Sequence, residues 1–256
     1  MEILTPAVLE MLTAFEGVLK EFGTDFYLVG AVARDIRLSG NPEFAPTRRT
    51  KDVDIALLIA DEEQFYKIKD ALLKTGNFMA HPTEAIKIFY KESIEVDLLP
   101  FGDIEDHTRE TRLEKPRLFV IDVPGFREIL PHVEEIEVGN QLKLKVCTLE
   151  GLVLLKIIAN DDKPSRIKDI TDIEHILSVY FDLCMEDIFS SHADAADLYD
   201  TGIPNYMSLV SARIIGRKIN NLLKGSAELR KRILHILENK STTDYWVAMA
   251  GGMKDV

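Results

Sequence analysis

The 256-residue chain is predicted to be α+β: a mixed β-sheet core with flanking helices, followed by a C-terminal helical domain. Three observations predict it. Short β-prone runs alternate with helical periods up to about residue 147. Gly139-Asn140, set between Glu134–Val138 and Gln141–Val146, is a turn pair suited to a tight hairpin. From Thr148 the texture changes, and helical spacing dominates to about Glu238, broken at Pro164, Gly202, Pro204 and Gly225. The expected domains are therefore residues 1–147 and 148–256.

Element by element, residues 5–22 carry Leu9, Leu12, Phe15, Leu19 and Phe22 at helical spacing, and Gly23 ends that helix. Asp25–Val29 reads as a short strand running into Gly30, with a helix over Ala31–Leu38 and a loop over Ser39–Arg49. The next strand begins at Thr50-Lys51-Asp52-Val53-Asp54. Asp61 caps a helix running to Leu73, with Gly76 as its stop. Ala85–Tyr90 and Ser93–Leu99 form a hairpin joined by Lys91-Glu92. Residues 103–115 are charged and read as a loop or exposed element, Leu118–Val123 as a strand, and the last residues, including Gly251-Gly252, as frayed.

Composition narrows the class. A hydrophobic content of 46% with 29% charged residues describes a globular chain with a substantial core. No run is long and apolar enough to span a bilayer, and the N-terminus lacks a signal-peptide pattern, so a cytoplasmic protein without membrane contact is expected. Cys147 and Cys184 are too few for a disulfide framework and read as reduced core residues. A net charge of −12 argues against broad binding to long nucleic acids, yet leaves room for a local basic cleft. Arg34, Arg37, Arg48, Arg49 and Lys51 cluster near one such place, and Lys163, Arg166 and Lys168 form a second group. Arg213, Arg217, Lys218, Lys224, Arg230, Lys231 and Arg232 read as solvated helix faces.

Asp52 and Asp54 are the most informative residues. Two apart on a strand, they face the same side, and two adjacent like charges need a cation. Mg²⁺ suits such a pair, because it takes a few carboxylates together with substrate phosphates; a solvated strand start is the other reading. Upstream, Gly30 and Ala31 lie between a strand and a helix start, where backbone N–H groups can meet phosphate. Downstream, Asp97 stands in the apolar run Val96-Asp97-Leu98-Leu99, as a third ligand, a general base or an edge residue facing water. Lys156 stands in the apolar helix Leu149–Ala159, before Arg166 and Lys168-Asp169-Ile170-Thr171-Asp172. It needs an anion, which either a nucleotide phosphate or an ion pair with Asp169 or Asp172 supplies.

Together these motifs resemble the nucleotidyltransferase superfamily with a polymerase-β-like core, and the Leu149–Lys156 and Arg166–Ile173 segments are similar to the AbiEii-type abortive-infection toxins. The matched positions run from about 26 to 177. The resemblance implies transfer of NMP from an NTP to a hydroxyl, with two Mg²⁺ ions held by Asp52, Asp54 and Asp97. Lys156 and Asp169 would complete the catalytic set, and Gly30, Ala31, Arg34, Lys51, Lys156 and Arg166 would bind nucleotide. The helical domain would contribute to the nucleotide and acceptor cleft. An RNA acceptor such as a tRNA end and a cognate antitoxin are the implied partners. Gly30-Ala31 departs from the family's Gly-Gly or Gly-Ser, which removes one hydroxyl contact to phosphate. Two other readings remain open: the same chemistry on a small-molecule hydroxyl, as in antibiotic-modifying enzymes, and a non-catalytic nucleotide- or partner-binding module.

Overall fold

A computed structural model describes residues 4–39, 52–139, 142–240 and 243–255. The chain divides into two compact units, Met1–Thr148 and Leu149–Val256.

In the first unit α1 (Pro6–Phe22) starts with proline in its first turn. Thr5 caps it by accepting from the Val8 N–H at 3.3 Å. Its apolar stripe buries Val8, Met11, Leu12, Phe15 and Leu19. β1 (Phe26–Val29) leads directly into α2 (Gly30–Leu38), and β2 (Asp52–Leu58) follows. The loop expected over residues 39–49, with Arg48, Arg49 and Lys51, falls almost wholly outside the described residues. α3 (Glu62–Lys74) is capped by Asp61, which accepts from the Gln64 N–H at 2.8 Å.

β3 (Phe78–Ala80), β4 (Lys87–Tyr90) and β5 (Ile94–Phe101) come next, then β6 (Glu110–Leu113), β7 (Phe119–Asp122), the single turn α4 (Phe126–Ile129), β8 (Glu134–Val138) and β9 (Leu142–Val146). Seven strands form one mixed sheet in the order β3-β4-β5-β2-β1-β9-β8, while β6 and β7 pair separately. The β2–β5 and β1–β9 pairs are parallel; the other pairs in the main sheet are antiparallel.

Two readings need correction here. The segment 103–115 contains β6, whose alternation is hidden because its inward residues are Thr111 and Leu113. The Thr111 hydroxyl satisfies itself by donating to the Pro100 carbonyl at 3.0 Å. The 85–99 hairpin turns over three residues, since Tyr90 pairs with Ile94, and Lys91 and Glu92 both adopt positive φ.

Strand alternation gives the main sheet a dry face and a wet one. Val53, Ile55, Ile88, Tyr90, Ile94, Val96 and Leu98 are buried on the first. Asp52, Asp54, Lys87, Phe89, Glu95 and Asp97 occupy the second, and all of these are at least partly exposed.

The second unit is helical: α5 (Leu149–Asp162), α6 (Ile167–Leu183), α7 (Met185–Ser191), α8 (Ala193–Ala196), α9 (Tyr206–Leu222), α10 (Ala227–Asn239) and α11 (Asp244–Lys254). α11 overturns the expected frayed end. It buries Trp246, Met249 and Met253, and Gly252 lies against the backbone of α9, where a β-carbon would overlap the Arg213 carbonyl. Gly216 makes the reciprocal approach to the Met249 carbonyl. Glycine is a poor helix former, but here it lets two helix backbones touch. Gly252→Ala should therefore cost about 2–3 kcal/mol through overpacking, visible as a clear drop in thermal midpoint. An unchanged midpoint would show that the contact yields without cost.

The third basic cluster also needs correction, because its arginines are not merely solvated. Arg213 and Arg217 converge on Asp255, Arg217 also pairs with Asp194 at 2.6 Å, and Lys218 pairs with Asp187 at 2.8 Å. Arg232 spans Asp161 and Asp162. These cations secure chain segments within the unit. The two cysteines form no disulfide; Cys147 is buried and Cys184 half-buried.

Candidate active site

The site is built on the centre of the mixed sheet. β2 and β5 are parallel neighbours in a register that sets Asp52 opposite Glu95 and Asp54 opposite Asp97. Directly paired residues share a face, as do residues two apart, so four carboxylates form a square on the wet face. On the far side of β2, Val29 pairs with Asp54. The chain then turns at Gly30, with φ +65°, into the first turn of α2. A β-carbon at Gly30 would overlap the Asp54 carboxylate, so this turn and Asp54 interlock. Ala31 follows in the same first turn, whose N–H groups are suited to phosphate.

On the other side of β5, Lys87 of β4 pairs in register with Asp97. Its ammonium is bonded to Glu95 and stands 3.8 Å from Asp97 Oδ1. Sequence reasoning missed this lysine. The hydrogen bond to Glu95 holds its pKa above the usual lysine value, with the Asp97, Glu95 and Asp52 charges adding to the effect. The signal was present in the alternation Lys87-Ile88-Phe89-Tyr90, but a two-residue turn at Lys91-Glu92 would set Lys87 opposite Val96. One residue of slip reverses the face, and only the three-residue turn brings lysine to carboxylate.

Asp97 is a perturbed carboxyl on this face. Burial pushes its pKa up to about 6; Lys87 opposes that shift, while Asp54, Glu95 and Asp52 reinforce it. Its Oδ1 is buried and has no hydrogen-bond partner. A buried carboxylate oxygen without a donor, beside a second carboxylate in register, fits a hard divalent cation. Among the described residues, no three His, Cys, Asp or Glu side chains are grouped as they would be around a metal, and Asp52 is exposed at the start of β2.

The metal-free protein should show this strain in its pH dependence. Below about pH 4 the Asp97 carboxyl is protonated in folded and unfolded chains alike. Between about 4 and about 6 only the unfolded chain ionises it, so stability falls as pH rises through that window and stays lower above it. The slope should be shallower in Asp97→Asn. Identical melting curves from pH 4 to 7 for the two proteins would show that Asp97 is not strained.

The remaining expected residues are placed as follows. Arg34, on α2, donates to Asp35 Oδ1 at 2.9 and 3.1 Å. Lys51 lies outside the described residues. In the second unit, Lys156 pairs with Asp172 at 2.5 Å and Asp169 at 3.4 Å, and Arg166 Nε donates to Asp169 Oδ2 at 2.6 Å. Asp169 is buried. Of the two anions expected for Lys156, the ion pair is present, and it extends over both aspartates.

Carboxylates on adjacent parallel strands, beside a glycine turn that opens a helix, are in keeping with the nucleotidyltransferase resemblance of the sequence. The family model "Nucleotidyl transferase AbiEii toxin, Type IV TA system" matches residues 15–254. The chain belongs to that family, and it is a nucleotidyltransferase associated with toxin–antitoxin systems.

No curated protein sequence matches the chain significantly. Among solved structures, the antibiotic-resistance factor ANT(2'')-Ia is similar at 11% identity, over 88% of this chain and 96% of that one, with a TM-score of 0.40. An antigenic nucleotidyltransferase-like protein from Paracoccidioides brasiliensis is similar at 18% identity over 91% and 92%, with a TM-score of 0.42. A CCA-adding enzyme in an apo form is similar at 13% identity over 98% and 65%, with a TM-score of 0.36. No helix among the described residues is long and apolar enough to cross a membrane.

Proposed function

We propose that this chain transfers NMP from an NTP to a hydroxyl at an RNA end, such as that of a tRNA, in a Mg²⁺-dependent reaction. The observation that carries this reading is the in-register pair Asp54 and Asp97 beside the Gly30 turn. An acceptor hydroxyl oxygen bonds to the α-phosphorus, the bond from that phosphorus to the bridging oxygen of the β-phosphate breaks, and pyrophosphate leaves. Asp52, Asp54 and Asp97 would hold Mg²⁺, which when bound neutralises the phosphates and lowers the pKa of the attacking hydroxyl.

The chain's own residues do the rest. Gly30, Ala31 and the first turn of α2 offer backbone N–H groups to the triphosphate. Asp97 takes up the hydroxyl proton or passes it to solvent. Asp54 is fixed by contact with the Gly30 turn, so its carboxylate is preorganised. Lys156 is assigned to the nucleotide phosphates with Arg166, and Asp169 to orienting Lys156. Arg34 and Lys51 are assigned to nucleotide binding. The type IV toxin family supports a cognate antitoxin as partner, and a cytoplasmic location fits that role.

The test is incubation of purified protein with each α-labelled NTP, Mg²⁺ and total tRNA. Label on RNA is the expected result. Label only on added small-molecule alcohols would move the assignment to a small-molecule transferase, and NTP binding without any transfer would reduce the chain to a binding module.

A further inference from the structure

The wet face of the sheet does not end at the carboxylates. Beyond β5, Phe89 pairs with Glu95 across β4–β5 and with Met79 across β3–β4, so Met79, Phe89, Glu95 and Asp52 form one row. The neighbouring row is Lys87, Asp97 and Asp54. Phe89 is half-buried and Met79 is 46% exposed, and both are large apolar side chains beside the charged residues of this face.

His81 packs on Phe89, with ring centroids 5.7 Å apart and planes tilted by 38°. Its ring is held in place: Nδ1 accepts from the Glu84 N–H at 3.0 Å and the Thr83 N–H at 3.2 Å, and the His81 N–H donates to the Lys87 carbonyl. An Nδ1 that accepts from backbone fixes the Nε2–H tautomer. Two flat rings and a thioether therefore make a rigid, half-open platform on the opposite side of Asp97 from the Gly30 turn.

We infer that Phe89, with His81 and Met79, is the stacking platform for the terminal nucleobase of a single-stranded RNA acceptor, whose ribose hydroxyl then lies at Asp97. The inference rests on the RNA reading of the acceptor and gives it a place on the protein. The row order Gly30 turn, Asp54, Asp97, Lys87 puts the triphosphate at one end, so an acceptor must come from the other. Phe89 is one strand over and two residues along from Asp97, roughly 8 Å between α-carbons given the spacings of a sheet. That is about the reach of one nucleoside from base to sugar hydroxyl. Every base has a π-face, so an aromatic platform accepts an RNA end with little sequence preference. Lys87, bonded to Glu95, lies between the platform and Asp97, beside the path of the acceptor's last phosphodiester.

The test uses an RNA oligonucleotide ending in 2-aminopurine riboside, with Mg²⁺ and a non-hydrolysable NTP analogue, read by fluorescence. Stacking on Phe89 should quench the probe on binding. Phe89→Ala and Phe89→Leu should lose the quench and weaken RNA binding by roughly tenfold to a hundredfold, as loss of one base stack implies. Phe89→Tyr or Phe89→Trp should restore both, while binding of the NTP analogue stays at the wild-type level. Phe89→Leu keeps the bulk of the half-buried side chain, so it separates stacking from folding.

Equal affinity and equal quench in wild type, Phe89→Ala and Phe89→Leu would overturn the platform, as would a wild type that does not bind the oligonucleotide. The outcome is separable from the proposed function. RNA labelling with no dependence on Phe89 removes the platform alone. Phe89-dependent binding without NMP transfer removes the transferase reading alone.

Discussion

Asp54→Asn should abolish NMP transfer, lowering the rate by a thousandfold or more, while the fold stays intact. Asp54 sits at the crossing of every feature that defines the site: in register with Asp97 on β5, in register with Val29 on β1, and interlocked with the Gly30 turn. Asparagine keeps the shape and one carbonyl oxygen but removes the charge that a divalent cation requires. A loss of about 4 kcal/mol of transition-state stabilisation corresponds to that thousandfold, the scale expected for electrostatic contributions in metal-dependent transfer. Removing one carboxylate from a crowded face also relieves repulsion, and the Asp54 charge is one of the causes raising the Asp97 pKa. In the variant the Asp97 pKa should therefore move down. Single-turnover transfer, a melting curve and a pH titration read these three consequences. Loss of activity together with loss of folding would mean that Asp54 is structural.

Gly30→Ala should be nearly as damaging, by a different route. At φ +65° the residue is in a region that non-glycine residues occupy at a cost of about 1–3 kcal/mol. The added methyl group also meets the Asp54 carboxylate. Either Asp54 rotates away or the turn opens, and both separate the phosphate-binding N–H groups from the carboxylate pair. A displacement of about 1 Å in a reacting constellation costs roughly a hundredfold in rate. The expected result is a fall of at least that size in kcat/KM, with a modest drop in melting temperature. Ala31→Gly, by contrast, should leave transfer close to wild type, because only Gly30 has positive φ in this turn. Wild-type kinetics in Gly30→Ala would show that the turn does not set the geometry of Asp54.

The fold was readable where one physical rule governed a segment. α1 and α3 carry their caps, Thr5 and Asp61, together with a clean apolar stripe. β2 and β5 show apolar alternation interrupted only by the carboxylates that matter. Legibility failed where tertiary contact overrode local preference. Gly251-Gly252 looked like a fraying end, yet close approach to α9 keeps Gly252 inside a helix. β3 and β6 are too short for periodicity to establish, and they form because neighbouring strands hold them.

In the site, Asp52, Asp54, Asp97 and Gly30 could be named from residue type and spacing. The sheet then put Asp54, Asp97 and Gly30 on adjoining elements. Lys87 and Glu95 were not singled out as site residues, because their role depends on a hairpin register that differs by one residue between a two- and a three-residue turn. Lys156 carried two readings in the sequence, and its pairing with Asp169 and Asp172 became visible only in the helical packing of α5 on α6.

The most direct measurement places the radiolabel on the α-phosphate of the NTP in one reaction and on the γ-phosphate in a parallel one, with Mg²⁺, RNA and either wild type or Asp54→Asn. The expected result is α-label on the RNA, γ-label released as pyrophosphate, and neither outcome with Asp54→Asn or with the divalent cation chelated. Transfer of the γ-label to RNA, or α-label transfer that survives both Asp54→Asn and chelation, would contradict a carboxylate-held, metal-dependent nucleotidyl transfer at this site.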